Sequence, residues 1–361
     1  MVSLLAAFLA TAALAGVTPQ PRQFVAGPVL AGDRVVWGEQ HDGLNVLRAA
    51  HDAAPLWQSG SRWFSGPLAA SASLVAFSQS YDGCPGRPGF VCPVETQAVA
   101  GPPRGSLRPL APAERCSTGG SGRRLSASGS RVAYLALACT SSSYTVRVSE
   151  RGRIVFRHGA SCCDVSLAGS YLAFKSGAAV DLFDLRTRQL LSRTGPPPNE
   201  PIAAFDVQAD GKLAVALGPA ATDRSAALAW RAPGAAALHR LKLRVVLPFA
   251  GPSVRLVGDR IVVISPASGS TTELVSADLR GRVRKLARFA RPVEQAGGID
   301  ASTKSVTWAS RRITSTRVDC PPPGQGRPCL LRKSGVETVW TAGLTAGSPR
   351  AVARWAFTDS I

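Results

Sequence analysis

Histidine, methionine and lysine are all scarce in this sequence, and the patterns that mark common enzymes are missing. Of 361 residues, 4 are histidine and 1 is methionine, and only 6 of the 42 basic residues are lysine. No long segment repeats apolar residues at helical spacing, which argues against an α/β fold. No phosphate-binding glycine loop, HExxH zinc pattern, calcium-binding loop or G-x-S-x-G elbow occurs. The sequence therefore carries no hydrolase signature.

Long apolar runs are also missing, except at the N-terminus. Residues 2–14 read VSLLAAFLATAAL, and Ala13-Leu14-Ala15 before Gly16 fits the cleavage site of a secretory signal peptide. We expect residues 1–15 to be removed and residues 16–361 to be exported as one domain. The run is shorter than the ~18–20 residues of a spanning helix, so we predict no transmembrane span in the mature chain. Because no basic residue precedes the run, a start codon assigned too far downstream and a buried first strand or helix are alternatives.

Eight cysteines, an even number without a C-x-x-C pair, agree with export to an oxidising compartment. Cys84 and Cys92 enclose a Gly- and Pro-rich turn, as do Cys320 and Cys329, and we predict a local disulfide in each pair. The other four are Cys116, Cys139, Cys162 and Cys163, and their pairing stays open. A vicinal Cys162–Cys163 ring is possible, but separate partners such as Cys116 and Cys139 are favoured. Free buried thiols are the alternative for all eight.

A recurrent phrase runs through the chain: a short apolar stretch, a small or polar turn, and an apolar strand that often ends in an aromatic residue. It occurs as PVLAGDRVVW, PLAASASLVAF, LSASGSRVAY, VSLAGSYLAF, DVQADGKLAV, RLVGDRIVV and IDASTKSVTW. These phrases end at residues 37, 77, 134, 174, 215, 263 and 308, at intervals of 40 to 57 residues. Such spacing is typical of the four-stranded blades of a β-propeller.

Each phrase is followed by a second hairpin pattern, clearest in VDLFDLRTRQLLSRTG at 180–195 and assigned to 329–340 in the last unit. A four-stranded sheet has two apolar faces that it cannot bury alone, and radial packing of seven sheets buries both. We therefore predict an all-β, seven-bladed β-propeller of antiparallel blades that begin near residues 28, 67, 124, 164, 205, 254 and 298. The closing aromatic residues are expected between the blades: Trp37, Phe77, Tyr134, Phe174 and Trp308.

The repeats resemble the blades of WD40-like β-propellers of the TolB type, which read apolar strand, small-Asp-Gly turn, apolar strand, variable loop and hairpin. The segment QADGK at 208–212 is the nearest match to that turn, and the turns at 31–33 and 257–259 are looser. The resemblance covers residues 24–343. Because the Trp-Asp dipeptide of WD40 repeats is absent from every repeat, it implies a divergent propeller and transfers no functional residue.

The tail, residues 344–361, contains one more strand pattern at 351–357. We expect the tail to close the ring. Either this strand or residues 22–26 would complete a terminal blade, tying the two chain ends together and removing an open sheet edge.

The strands of each blade are named A to D from the axis outward. The A–B and C–D turns then lie on one face of the ring, and the B–C and D–A connections lie on the other. The B–C and D–A connections include the longest ones, residues 78–93, 111–124 and 309–328. Every cysteine falls in or beside a B–C or D–A connection. Loops on a rigid scaffold carry function, and cross-links lower the entropy lost on binding. We predict this face as the interaction surface; disulfides that merely protect exposed loops are the alternative.

Ionisable residues are scattered among these repeats. The histidines are His41, His51, His158 and His239, and no two have metal-ligand spacing or a triad context. The acids expected on A strands, A–B turns or a C strand are Asp181, Asp184, Asp206, Asp210 and Asp300. We predict no catalytic, metal-binding or cofactor-binding residue and no cofactor. A pair of carboxylates for glycosyl transfer stays an alternative, because a propeller assembles its site from different blades.

The formal charge of +19 could attract polyanions, with clusters at 280–291, 151–157 and 311–312. Export argues against nucleic acid and favours anionic wall polymers, acidic glycans or lipid headgroups. Arginines that alternate on outer strands also face solvent and discourage edge pairing. The excess of arginine over lysine is typical of a high-GC coding bias, so most of the charge needs no ligand.

The sequence thus predicts a secreted, monomeric propeller that acts as a non-catalytic binding or scaffold module at the cell envelope. Its partner would be a protein or an anionic envelope polymer on the cysteine-bearing face. The alternative is a glycan lyase or hydrolase with its site in the central funnel. Such an enzyme should bring together ionisable groups from several A strands, which here offer Asp206, Arg255 and Asp300 among mostly small or apolar residues.

Overall fold

The computed structural model describes residues 23–64, 66–82, 94–110, 114–116, 125–137, 144–161, 164–218, 225–246, 254–267, 271–290, 294–320 and 330–360. Within these ranges the chain is all-β and contains no helix. The strands form seven antiparallel sheets in a ring, which confirms the prediction of a seven-bladed β-propeller. The predicted signal peptide, residues 1–15, lies outside these ranges.

The first three blades differ mainly in the regularity of their outer and inner strands. Blade 1 contains β1 (Gln23–Ala31), β2 (Arg34–His41), β3 (Leu44–Ala49) and β4 (Trp57–Ser59). Blade 2 contains β5 (Trp63–Phe64), β6 (Ala69–Ala70), β7 (Val75–Asp82), β8 (Val94–Gly101), β9 (Arg108–Pro109) and β10 (Glu114–Cys116). Blade 3 contains β11 (Leu125–Ser128), β12 (Arg131–Leu137), β13 (Tyr144–Glu150) and β14 (Arg153–Ala160). In blade 2 the A and D strands are therefore each interrupted.

The next four blades are meanders of four consecutive strands. Blade 4 contains β15 (Val165–Ala168), β16 (Tyr171–Ser176), β17 (Ala179–Asp184) and β18 (Gln189–Thr194). Blade 5 contains β19 (Ile202–Val207), β20 (Leu213–Leu217), β21 (Ser225–Arg231) and β22 (His239–Val246). Blade 6 contains β23 (Val254–Val257), β24 (Arg260–Pro266), β25 (Thr271–Asp278) and β26 (Val283–Ala290). Blade 7 contains β27 (Glu294–Ala301), β28 (Ser305–Asp319), β29 (Leu330–Gly343) and β30 (Arg350–Ser360).

The core is divided among the interfaces between blades. Seven buried apolar clusters each join two neighbouring blades, because alternate side chains of every strand point to opposite faces of its sheet. The predicted aromatic residues lie in these clusters and are almost fully buried: Trp37, Phe77, Tyr134, Phe174 and Trp308. This placement confirms that the closing aromatic residues of these five phrases are packing residues.

Two local predictions for blade 7 are wrong. Residues 329–340 form no hairpin: β29 is continuous, and the fourth strand is supplied by β30 in the tail. The Ser-Gly pair at 334–335 resembles a turn, but Gly335 instead lies so close to the Arg312 carbonyl that a Cβ would clash. The predicted 309–328 loop is also strand as far as Asp319, because its polar sequence is rich in β-branched residues.

The ring closes by packing of one blade face against another. Strand β30 completes blade 7, whereas β1 belongs to blade 1, so the first and last described strands lie in different sheets. Leu30, Val35 and Trp37 of blade 1 instead pack against Val339 and Trp355 of blade 7. The expected terminal blade that ties both chain ends together is therefore replaced by an interface like the other six.

Candidate functional site

The inner edge of each A strand faces the axis, where no further strand can accept its backbone N–H groups. In five blades a polar side chain at one equivalent position of the A strand reaches the neighbouring blade. We call these residues the axial belt: Ser126, Ser166, Asp206, Arg255 and Asp300. Blades 1 and 2 carry Val29 and Ala69 at the matching register, so the belt is interrupted there.

The serines of the belt bind backbone N–H groups of the next blade. The N–H of Leu167 donates to Ser126 Oγ at 2.9 Å, and the N–H of Val207 donates to Ser166 Oγ at 3.1 Å. In both cases the donor lies one residue beyond the belt position of its own strand. The belt thus satisfies inner-edge donors and joins blade 3 to blade 4 and blade 4 to blade 5.

The two aspartates of the belt also bind backbone N–H groups of the next blade, but through carboxylates in place of hydroxyls. The N–H of Leu256 donates to Asp206 Oδ2 at 2.8 Å, and Ser166 Oγ donates to Asp206 Oδ1. The N–H of Leu30 donates to Asp300 Oδ2, also at 2.8 Å. Because Leu30 belongs to blade 1 and Asp300 to blade 7, this bond crosses the closure of the ring.

Arg255 joins the two aspartates from blade 6. Its Nε lies 3.1 Å from Asp300 Oδ1, and its Nη1 lies 3.7 Å from Asp206 Oδ1. Burial raises the pKa of the Asp206 carboxyl, although the charge of Arg255 and the hydrogen bond from Ser166 oppose this rise. Burial lowers the pKa of Arg255, but the two carboxylates outweigh it and raise that pKa above its ordinary value. The three groups that were expected to distinguish an enzyme from a binder therefore do converge, with one guanidinium between two carboxylates.

A small pocket that opens to solvent lies against the belt. Its apolar lining comes from A strands of several blades and the residues just before them, and includes Leu68, Leu125, Val165 and Phe205. Its polar lining consists of Asp164, Ser166, Asp206 and Arg255. Because Asp206 and Arg255 already hold neighbouring blades together, we assign them a structural role in the belt.

The other ionisable residues singled out from the sequence stay apart. His41 ends β2, His51 follows β3, and the remaining two lie on D strands, His158 in β14 and His239 in β22. Asp181 and Asp184 lie on β17 and bind Arg193 and Arg186, respectively. Across the described ranges, no group of three or more His, Cys, Asp or Glu side chains is arranged to hold a metal ion.

A projecting part of blade 7 was not foreseen from the sequence. Strands β28 and β29 contain 15 and 14 residues and stay paired as far as Asp319 and Leu330. The neighbouring A strand, β27, reaches only to Arg312. We call the extension the arm: residues 313–319 of β28, 330–335 of β29 and 357–360 of β30. Because B strands end where C strands begin, the arm extends from the face of the B–C and D–A connections.

The base of the arm is held by a buried carboxylate. Glu337 accepts hydrogen bonds from Arg311 Nε at 2.8 Å and from Trp355 Nε1 at 2.9 Å. The guanidinium of Arg311 also lies over the ring of Phe357, 4.6 Å from its centroid. These contacts fix β28, β29 and β30 relative to one another. The arm is therefore held rigidly where it extends from the ring.

The end of the arm is exposed and basic. Residues 314–318 are exposed, and the side chain of Val318 is 59% accessible. Asp319 binds two guanidinium groups, those of Arg317 at 2.7 Å and Arg332 at 2.8 Å. Because the Asp319 carboxylate pairs with two guanidinium groups, these three side chains together carry a net positive charge.

The predicted disulfide residues fall mostly outside the described ranges. Cys116 is the last residue of β10, with its Cα opposite that of Val94, and Cys320 is an exposed residue directly after β28. Cys84, Cys92, Cys139, Cys162, Cys163 and Cys329 lie outside. Their pairings stay predictions. No helix in the described part of the chain is long and apolar enough to cross a membrane.

Comparisons with known proteins concern the fold alone. No protein-family model matches this chain, and no curated protein matches it. The β-propeller domain of the Trilobed protease from Pyrococcus furiosus, described as having an open velcro topology, is 10% identical at TM-score 0.47, covering 81% of this chain and 96% of that chain. BamB from Moraxella catarrhalis is 10% identical at TM-score 0.46, with 95% and 97% covered. The propeller fold of this chain is shown by its own seven four-stranded sheets, and no family model places it in a known family.

Proposed function

We propose that this protein is an exported, monomeric and non-catalytic scaffold that holds a protein partner at the cell envelope. The face formed by the B–C and D–A connections would be its binding surface. The observation that carries the proposal is the arm of blade 7. Its three strands extend from that face with exposed residues 314–318, although the other B strands end after five to eight residues. A braced, exposed extension of this kind supplies a preorganised contact surface.

The positions of strand ends support the same face. Asp82, Leu137 and Asp319 end B strands, and Cys116 and Ala160 end D strands, so all five lie at this end of their blades. Each is itself a cysteine or is followed by one within two residues: Cys84, Cys139, Cys320, Cys116 and Cys162. The proposed bond between Cys320 and Cys329 would begin directly after β28, at the end of the arm. Cross-links here would hold the connections in their binding conformation.

The axial belt supports a non-catalytic role. Both oxygens of Asp206 accept hydrogen bonds, and Arg255 contacts both aspartates and the Ile299 carbonyl oxygen, 3.3 Å from its Nε. These groups therefore hold blades together and are not presented as a free acid and base for substrate.

The experiment is site-specific photo-crosslinking with purified protein and envelope extract. A photoreactive residue at Val318 would report the proposed face, and one at Arg280, exposed in a C–D turn, would report the opposite face. We expect a protease-sensitive adduct from position 318 and none from position 280. Equal capture at both positions, or a protease-resistant polymer as the adduct, would contradict a protein partner on this face. Mild reduction during capture tests the disulfides, which should be needed for full yield.

Export is tested separately by the mass of the protein recovered from outside the cytoplasm. We expect a chain that begins at Gly16 after cleavage of residues 1–15. An uncleaved chain retained inside the cell would contradict the proposed location. Sedimentation of the recovered protein should give the mass of one chain.

A glycan-acting enzyme is the second candidate, and the pocket beside the belt is the observation that favours it. Asp164 and Asp206 both line this pocket, and paired carboxylates are what glycosyl transfer requires. Turnover on a polysaccharide panel that is lost in Asp164→Asn and kept in Asp33→Asn would establish this function. Absence of turnover across the panel favours the scaffold.

A further inference from the structure

We propose that residues 313–319 of β28 bind an extended, acidic peptide segment of the partner by adding it to the arm as a further strand. This inference rests on the proposed scaffold function and names the chemistry of its partner. Strand addition uses backbone hydrogen bonds for affinity and alternate side chains for specificity. The arm offers both on the same seven residues.

The backbone of this segment is paired on one side. Strand β29 follows β28 from Gly343 opposite Ser305 to Leu330 opposite Asp319. On the opposite side β27, whose described residues begin at Glu294, pairs with β28 from Val306 to Arg312. In the part of the chain that the structure describes, no strand or backbone hydrogen bond occupies this second side of 313–319. At ~3.3 Å per residue the open edge is roughly 23 Å long, enough for a short strand.

This edge differs from the outer edges that every blade has. In the other blades the B strand has an A strand on its inner side and a C strand on its outer side. Only β28 continues well beyond its A strand among the described strands, so its open edge lies on the side of the ring axis. A partner added there would lie over the proposed binding face, whereas a strand on β30 would lie at the rim.

The composition of the edge favours pairing. Thr314, Ser315, Thr316 and Val318 include three residues with high strand propensity, and 313–319 contains neither proline nor lysine, the common protections of an open edge. A bulge at Thr314, between the pairs of Ile313 and Ser315, affects the base of the segment alone. The remaining register is regular to Asp319.

The charge of the arm favours an acidic segment over a second copy of this chain. Arg312 and Arg317 are exposed at the two ends of the edge, and Asp319 is shared by Arg317 and Arg332. Antiparallel pairing of two identical 313–319 edges about Thr316 would place Arg317 of one copy diagonally across from Arg317 of the other, and like charges on neighbouring cross-strand positions disfavour such a sheet. Carboxylates at alternate positions of a partner strand would instead complement both arginines.

The test uses the mature protein and a fluorescein-labelled ten-residue peptide of alternating Thr and Glu, capped at both ends. The matched peptide has the same sequence but carries N-methyl groups at alternate residues, which remove backbone donors and keep the charge. We expect the N-methylated peptide to bind at least tenfold more weakly in fluorescence anisotropy. Hydrogen exchange should slow at amides within 313–319 when the unmodified peptide is bound. Equal binding of both peptides, or protection confined to other strands, would overturn strand addition.

Charge variants separate this edge from the general charge of the protein. Arg317→Glu should weaken peptide binding at least tenfold. Arg354→Glu makes the same charge change at an exposed residue of β30, outside the edge, and should stay within twofold of the wild type. Melting temperatures of both variants establish that they fold. Equal effects of the two variants, or a concentration-dependent dimer that slows exchange at 313–319, would overturn the assignment.

The outcomes also separate this inference from the scaffold proposal. Capture of a protein at Val318 without binding of the peptide would leave the scaffold role intact and overturn strand addition. Binding of the peptide with protection at 313–319, but without capture from the envelope, would support the edge and contradict the envelope role.

Discussion

Asp206→Ala is the substitution that tests the axial belt most directly. The carboxylate binds the N–H of Leu256 in blade 6 and the hydroxyl of Ser166 in blade 4, and it lies 3.7 Å from Arg255. Alanine would leave a buried backbone donor without an acceptor and Arg255 with Asp300 as its remaining carboxylate. The change therefore loosens two interfaces between blades at once.

The expected cost follows from these contacts. A buried donor without a partner costs about 1–3 kcal/mol. Loss of one member of a buried ion pair costs ~3–5 kcal/mol when the other charge is left alone. Because Arg255 keeps Asp300, and because burial of the Asp206 charge already offsets part of the gain, we expect about 2–4 kcal/mol in total. With an unfolding entropy of ~2.1 cal/mol/K per residue, this lowers the melting temperature by about 3–6 °C for a chain of this size.

The assay is thermal unfolding of the purified mature protein, with Asp33→Ala as the matched control. Asp33 is 78% exposed and lies 3.9 Å from Lys304 across the closure between blades 1 and 7. An exposed pair of this kind contributes at most ~1 kcal/mol, so its loss should shift the melting temperature by about 1 °C or less. Equal shifts for the two variants would refute the claim that the belt, and not general charge pairing, holds the blades together.

Three further predictions concern pH, ring closure and the tail. Burial raises the pKa of Asp206 in the folded protein above its value in the unfolded chain. Protonation of Asp206 therefore stabilises the fold fully below the unfolded pKa, and this stabilisation is lost as pH rises through the folded pKa. The loss of stability caused by Asp206→Asn, measured by urea unfolding, should be larger at pH 4.5 than at pH 7.5. A Cβ on Gly298 would lie 2.7 Å from the Gly27 carbonyl oxygen, so Gly298→Ala should lower the melting temperature by several degrees, whereas Gly195→Ala, with no atom within 4 Å, should leave it unchanged within about 1 °C. Deletion of residues 350–361 removes β30 with its buried Trp355 and Phe357 and should lower the melting temperature by many degrees; an unchanged melt would contradict the role of β30 in the closure.

The repeated phrases predicted the propeller because each one encodes a local hairpin. Alternating apolar residues specify the strands, and small or polar residues specify the turns, so seven phrases give seven sheets without knowledge of any long-range contact. The closing aromatic residues were predicted correctly for the same reason: a large apolar side chain on a central strand must be buried between sheets.

In blade 7 the sequence pattern predicted the wrong local structure. Residues 311–319, RRITSTRVD, fall within the predicted 309–328 loop, yet they form the second half of β28. An arm exposed on both faces needs no apolar alternation, so its strands lack the signal that identifies a half-buried strand. Its abundance of β-branched residues was the signal that could have identified it.

Local sequence thus determined the strands, the turns, the seven blades and the packing role of their aromatic residues. The tertiary structure alone decided which polar groups meet. Asp206 and the N–H of Leu256 are 50 residues apart, and Asp300 and the N–H of Leu30 are 270 apart. The same applies to residues 313–319 of β28, which pair with β29 beyond the described residues of β27. Hydrogen-bond patterns within a hairpin depend on neighbours in the chain, but contacts between blades depend on how complete sheets pack around an axis, and no short segment encodes that arrangement.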